Sequence, residues 1–534
     1  MGREPDLDSV RAVEKQVEGR EMAIVKPKRS NNSLLNVSVF IPPEVLGEIF
    51  HWNVILERGH MGTRAASYNF LLVCHHWFEV ASHTPELWSS WGTRLWQWRR
   101  RYTCSRTVRL DLELTNDFKL GCRVLDEPIR HALQDHAARD AIRRVVLITG
   151  CSDLQNSIIL SITPRGEGSR SSSLESFVSH PWDDSGTVEL SDFFARHHFL
   201  KLRHLELLGP RNISSWDSLA SQTGVLTTLT LMIDGCSTPT TSQLLSILSS
   251  NPNLQRLQLS GDVIPTSNND ISAFQVRLNQ LEYLQLSGDP HGILSLLDRL
   301  VLSDKIVSLK LDLLDCPVRE ILQSLGRYLG NYLRCHNRSR EGLAVFASPD
   351  RDPFMLTVGE PSEIRGLAWF VRVSMRKPLD EQPSEEECEE ACFGVLACVP
   401  LGRVISYNAP FSPLKSEDLC VQMSNLFTLE AWRPNLFTWF AEPNPRRTQA
   451  NEDLFPSLKC LILQFPVLSE DGLSPLTTFL SRRASVGKRI HSLTLVGCPN
   501  IRPDVAQDIR GMVTHFDHLK IYWSGPPSMR ALDA

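Results

Sequence analysis

The sequence has no run of about 18 apolar residues that would cross a membrane as a helix. Its first residues, MGREPDLDSVRAVEKQVEGR, are charged and carry no apolar h-region, so no secretory signal is expected. The most apolar stretch, Phe393 to Pro400, is strand-sized and reads as a buried strand. Catalytic motifs are missing as well: there is no G-x-S-x-G elbow, no H-E-x-x-H pair and no G-x-x-x-x-G-K-[ST] loop. Gly487-Lys488 lacks both the upstream glycine and the following hydroxyl of a phosphate loop. A net charge of −5 excludes a basic nucleic-acid footprint over the whole chain.

The thirteen cysteines are odd in number and scattered from Cys74 to Cys498 without a disulfide framework, which points to reduced thiols in the cytoplasm or nucleus. The local cluster Cys388, Cys392 and Cys398 lies beside an acidic run, Glu385 to Glu387 with Glu389 and Glu390, and lacks zinc-site spacing. Two histidine pairs stand out. His75-His76 falls on a helix, where adjacent residues point apart, and His197-His198 precedes a strand. Both pairs read as solvated or satisfied histidines, and no metal or cofactor is expected.

What is present is mostly globular: 42% of the 534 residues are hydrophobic and 22% charged. Residues 1–36 form a polar tail ending in Lys26-Pro27-Lys28-Arg29, a basic cluster of the kind used for nuclear import and equally common in solvated tails. Residues 37–98 turn compact and helical. Val45, Leu46, Ile49 and Phe50 lie at offsets of one, four and five residues, the stripe of a helix opened by Pro42-Pro43. Glycines at Gly59 and Gly62 break the pattern. A second helix carries Phe70, Val73, Cys74, Trp77 and Ala81, and Thr84-Pro85-Glu86 reads as the capped start of a third, bringing in Leu87, Trp88 and Trp91.

From 105 to 525 the dominant signal is repetition. The pattern L-x-x-L-x-L starts at Leu202, Leu226, Leu254, Leu281 and Ile306, with separations of 24, 28, 27 and 25 residues, and returns at Leu458 and Ile490, 32 apart. The string LQLSGD occurs at 257–262 and again at 284–289. The L-x-L step alternates like a half-buried strand, and the stretches between, such as Gln243 to Ser250 and Ile293 to Leu302, are helical in pattern. Neither element buries its apolar side alone, so the units must stack. A strand and a helix per roughly 25 residues predicts an α/β solenoid of leucine-rich-repeat type. Thr107 to Leu114 and Val145 to Ile148 are further strand candidates. The middle, about 335–425, is irregular: Ile364-Leu367-Trp369 and Leu401-Val404-Ser406 fit the row weakly, Leu426-Leu429-Ala431 better.

Two stretches resemble the F-box: I-P-P-E-V-L-G-E-I-F at 41–50 and V-C-H-H-W-F-E-V-A-S-H-T-P-E-L-W at 73–88. The wording is most similar to the F-box families of mushroom-forming fungi. Isoleucine replaces the family's leading leucine, and the connector from Asn53 to Tyr68 is long and polar. The resemblance implies a three-helix module that binds the small Skp-type adaptor of cullin-RING ubiquitin ligases. The expected adaptor-binding residues are Ile41, Pro42, Val45, Leu46, Ile49, Phe50, Leu72, Val73, Cys74 and Trp77. The last repeat, I-H-S-L-T-L-V-G-C-P-N-I, is similar to the cysteine-containing leucine-rich type, which gives Cys498 a structural role in turning the chain, with Asp262 and Asp289 at the matching position of their units. The expectation is a non-catalytic substrate receptor of an SCF-type ligase: the F-box holds the adaptor and the repeats hold a target protein. The alternatives are a protein-interaction scaffold outside any ligase and, remotely, an enzyme within the irregular middle.

Overall fold

The computed structural model describes residues 41–61, 73–91, 110–115, 142–149, 152–163, 170–181, 188–233, 238–265, 274–314, 343–348, 354–362, 366–376, 393–409, 422–431, 455–464, 470–496 and 501–519, short breaks within these ranges excepted, with isolated positions between 325 and 332. The chain divides into two compact units, Met1–Ser237 and Thr238–Ala534. That division falls inside the region whose sequence reads as one continuous array.

The first unit opens with α1 (Pro43–Met61) and α2 (His75–Ser82). Pro43 occupies the first helical position, where its missing N–H costs nothing, and Glu44 sits at the positive end of the helix. The first turn closes through the Leu46 amide on the Pro42 carbonyl at 3.0 Å. The helix runs on through Gly59, past the point where the sequence pattern breaks.

Most of the expected third helix, Pro85, Glu86 and Trp88 among it, lies outside the described residues. The Thr84 hydroxyl donates back to the Val80 carbonyl at 2.8 Å, and His83 Nδ1 meets the Glu79 carbonyl, also at 2.8 Å. Both carbonyls also accept the His83 amide, at 3.0 and 3.1 Å, so the end of α2 is closed by the two residues that follow it. Leu87 lies in a 3-10 turn, and Trp91 on a two-residue strand, β1 (Ser90–Trp91). Among the described residues this segment therefore holds two helices and a turn.

β1 pairs in parallel with β2 (Leu110–Thr115), and β2 with β3 (Ile142–Thr149). The parallel ladder continues through β4 (Ser176–Pro181), β5 (His204–Leu208) and β6 (Thr228–Ile233). Helices α3 (Ser152–Ile162), α4 (Ser191–Arg196) and α5 (Trp216–Gln222) connect successive strands from β3 onward. Between them sits an aromatic cluster in which Phe193 lies 4.8 Å from Phe177, 5.4 Å from Phe194 and 5.2 Å from Phe199, ring centre to ring centre.

In the second unit α6 (Thr241–Ser249) starts on a complete capping box, Thr240 with Gln243. Parallel strands β7 (Arg256–Gly261), β8 (Tyr283–Gly288) and β9 (Ser308–Leu314) come next, in register Leu257–Leu284–Leu309 and Leu259–Leu286–Leu311. Between β8 and β9 runs α7 (Pro290–Arg299), capped by Asp289, whose carboxylate accepts from the Gly292 amide at 2.8 Å. Gly292 must be glycine for a second reason: a Cβ there would lie 2.8 Å from the Pro265 carbonyl oxygen.

The leucine rows carry a recurring hydrogen bond. The amides of Leu202, Leu254, Leu281, Leu426 and Leu458 each bond a carbonyl three residues back. The carbonyl of the residue after the leading leucine then accepts two consecutive amides of the next row. Arg203 serves Thr227 and Thr228, Gln255 serves Glu282 and Tyr283, Glu282 serves Val307 and Ser308, and Lys459 serves His491 and Ser492. With every leucine of these rows buried, one short sequence pattern fixes a turn, a strand start and the link to its neighbour.

The irregular middle has a topological cause. β10 (Leu343–Ser348), β11 (Phe354–Ser362) and β12 (Gly366–Arg376) form an antiparallel meander. It lies between β9, which pairs in parallel with β12, and β13 (Val404–Ala409), which pairs in parallel with β10. The strand order is thus β9–β12–β11–β10–β13, reversed against the sequence. The core row differs from the one read in the sequence. Val371 and Val373 face Leu309 and Leu311, and Tyr407 aligns with Leu429, so the rows are shifted from Leu367-Trp369 and Val404-Ser406. Phe393 to Leu396 is a helical turn rather than a strand, with Val395 and Leu396 buried; a run that short has no period to separate the two.

β14 (Thr428–Ala431), β15 (Cys460–Gln464), β16 (Ser492–Val496) and β17 (His515–Leu519) extend the parallel ladder beyond β13, with α8 (Glu470–Ser485) and α9 (Pro503–Met512) between the last three strands. The fold is mixed α/β with a parallel-rich sheet, and no helix among the described residues is long and apolar enough to cross a membrane.

Candidate functional site

Helix α1 presents apolar residues on two faces. Leu46 and Phe50 are buried against Val80, Ala81 and Leu87, with Ile41 and Trp77 packed at the edge. The Phe50 and Trp77 rings lie 5.1 Å apart at 59°. Gly47 lets α1 approach Thr84, whose Oγ1 would be 3.2 Å from a Cβ at that position. This face is closed on its own core.

The other face is open. Val45 is 50% exposed, Ile49 48% and Trp52 58%. Their spacing of four and three residues stacks them in one row along the helix, and exposed Pro42, Glu44 and Glu48 flank them. Three large apolar side chains in line on a surface mark a contact site more than a solvated face. The row has no nucleophile, base or ligand set, so what it offers chemically is apolar area, worth about 25 cal/mol for each Å² removed from water.

The structure thus divides the ten residues expected to bind an adaptor. Val45, Ile49 and Pro42 are exposed, and Leu46 and Phe50 are buried. Ile41, Val73 and Trp77 are half-buried. Leu72 and Cys74 lie outside the described residues, as do Cys498 and the cluster Cys388, Cys392 and Cys398. Trp52, the most exposed member of the row, was missed by the sequence reading, although it lies three residues beyond Ile49. Cys460 is a free thiol, and no group of three His, Cys, Asp or Glu among the described residues is placed to hold a metal. His197 is a core residue, stacked on Phe199 at 5.1 Å and 25°.

A polar cluster escaped the sequence because it joins two strands whose residues lie about two dozen positions apart. On adjacent strands β4 and β5, His180 Nε2 meets Glu206 Oε1 at 2.9 Å and His204 Nε2 meets Oε2 at 3.2 Å. The hydrogen bonds from His180, then His204, hold the Glu206 carboxyl down from its ordinary 4.5 to about 2. A depressed carboxyl stabilises the fold above its unfolded pKa and loses that effect as pH falls through its folded one. Glu206→Gln is therefore expected to lower stability by about 1 kcal/mol near neutrality, solvent screening included. The difference from wild type should close between pH 4.5 and about 2. Urea denaturation across that range tests it, and a pH-independent difference would show that the carboxylate charge is not the cause.

No protein-family model matches this chain, and no curated protein matches it.

Proposed function

We propose that the protein is the target-binding subunit of an SCF-type, cullin-RING ubiquitin ligase, with α1 docking a Skp-type adaptor. One observation carries the reading: Val45, Ile49 and Trp52 stand exposed in a row on a helix whose adjacent face is already satisfied by its own core. Such a helix is suited to lie in an apolar groove of a partner. The F-box-like wording of residues 41–50 and 73–88 surrounds that row. The repeated rows and shared carbonyls of the parallel strands support a leucine-rich-repeat solenoid as the target-binding part.

In this reading the chain does no chemistry. It holds a target beside a charged conjugating enzyme and raises the effective concentration of the target's lysines. The compartment would be cytoplasm, nucleus or both. Co-expression of the full chain with a Skp-type adaptor and a cullin, followed by affinity purification, is the test. Both partners should be recovered in stoichiometric amounts. Adaptor without cullin would favour a scaffold outside any ligase, and recovery of neither would overturn the proposal.

A further inference from the structure

Strands β13 to β17 turn one apolar row to the core, and the alternate positions share the other face. One cross-strand line on that face runs Asn408, Glu430, Ile462, Thr494 and Asp517. Glu430 is half-buried and hydrogen-bonded by Gln464, which donates to its Oε1, and by Asn408. The Asn408 side chain is more than nine-tenths buried, at 8% exposure, and its Oδ1 accepts no hydrogen bond. A buried acceptor without a donor is rare in a folded protein and calls for a reason.

What Glu430 lacks is a cation. Burial pushes its carboxyl above the ordinary 4.5, and the hydrogen bonds from Gln464 and Asn408 pull it back only in part. Among the described residues no positive side chain pairs with it. None of the positions that share this face on β13 to β17 is a lysine or an arginine, and His515 carries the imidazole there. Asp517, exposed three strand steps from Glu430, adds a second negative charge to the line at about 14 Å.

We propose that Asn408 and Glu430 together receive the ammonium group of a lysine from a basic segment of another protein. The two side chains are hydrogen-bonded to each other, so both lie within reach of one group. The carboxylate supplies the opposite charge and Asn408 Oδ1 the second acceptor. Lysine fits this pair better than arginine does. An ammonium carries three N–H donors pointing apart from a single atom, whereas a guanidinium is matched by both oxygens of one carboxylate, and Glu430 Oε1 already accepts from Gln464. A calcium ion would take about six or more oxygens, more than this pair provides. Ile462, the register partner of Glu430 on β15, offers apolar surface to the methylene stem of a lysine. The proposal does not depend on α1 docking an adaptor, and its test uses none.

The probe is a fluorescein-labelled peptide of alternating lysine and alanine, titrated with the full chain and read by anisotropy. Binding is expected, and acetylating the lysines, which removes their charge, should abolish it. Glu430→Gln should reduce affinity about tenfold, as for other charge deletions at a complementary interface. The same substitution relieves a buried charge and lets the new amide donate to Asn408 Oδ1, so thermal unfolding should show a fold as firm as wild type or firmer. A carboxylate that served the fold alone would give the reverse, lower stability with unchanged binding. The matching arginine–alanine peptide should bind more weakly than the lysine one. No binding of the lysine peptide, binding that survives acetylation, equal binding by Glu430→Gln, or tighter binding of the arginine peptide would each overturn the proposal.

Discussion

Ile49→Asp is expected to abolish capture of a Skp-type adaptor while leaving the fold of the free protein unchanged. Ile49 is 48% exposed, so an aspartate there stays hydrated before any partner binds. On docking, its carboxylate would lose water against an apolar groove, a cost of several kcal/mol if it remains ionised and unpaired. A loss of about 4 kcal/mol is roughly a thousandfold in affinity, which takes a tight complex below capture. The contrast lies one residue along the chain. Phe50 is 1% exposed, and Phe50→Asp should unfold the α1–α2 core itself. Glu48→Ala, also on the open side, should change little. The measurement is a paired pull-down with circular dichroism on each variant. If Ile49→Asp still captures adaptor at the wild-type level, α1 is not the docking surface. If wild type captures none, the ligase reading goes with it.

That contrast marks where the sequence is legible and where it is not. Periodicity locates α1, because apolar offsets of one, four and five residues fit a helix. It merges two faces about 100° apart, since one residue step on a helix turns by that angle. Val45, Ile49 and Trp52 share one face and Leu46 with Phe50 the other, and only the position of α2 decides which is covered. The rows from Leu202 to Ile306 were readable for a different reason: a parallel strand buried on its leucine side repeats its register with each unit, so spacing alone predicts pairing. The meander of β10, β11 and β12 breaks that rule. Antiparallel strands need no constant unit length, and the apolar residues near Leu367 and Val404 then match the row in the wrong register. The clusters around Glu206 and Glu430 are cross-strand objects, formed by residues 26 and 34 positions apart, and become visible only once the register is known.

Arg483→Met is expected to be among the most destabilising single substitutions in the second unit. Arg483 lies on α8 and is 2% exposed. Its guanidinium donates to three backbone carbonyls: Lys488 at 3.1 Å, Phe455 at 3.2 Å and Leu458 at 3.1 Å. The first closes the turn after α8, and the other two hold the turn that leads into β15. Phe455 there adopts φ of 55°, the left-handed region that a bulky L-residue enters only under constraint. Methionine keeps much of the side chain's volume, so the loss is one of hydrogen bonds more than of packing. Each bond from a charged donor is worth about 1.5–3 kcal/mol, and the abandoned carbonyls have few alternatives in a buried turn. Allowing for the arginine's own desolvation, which methionine avoids, the net cost is about 3–5 kcal/mol, a fall in Tm of roughly 10 °C for a unit of this size. Arg483→Lys keeps the charge but not the planar fork and should fall between the two. Thermal unfolding gives the size of the effect, and hydrogen exchange gives its place: protection should drop first at the amides of Leu458 and Cys460, which bond the turn and the preceding row. A Tm for Arg483→Met within a degree or two of wild type would mean that those carbonyls find other partners, and that Phe455 does not need the arginine to hold its conformation.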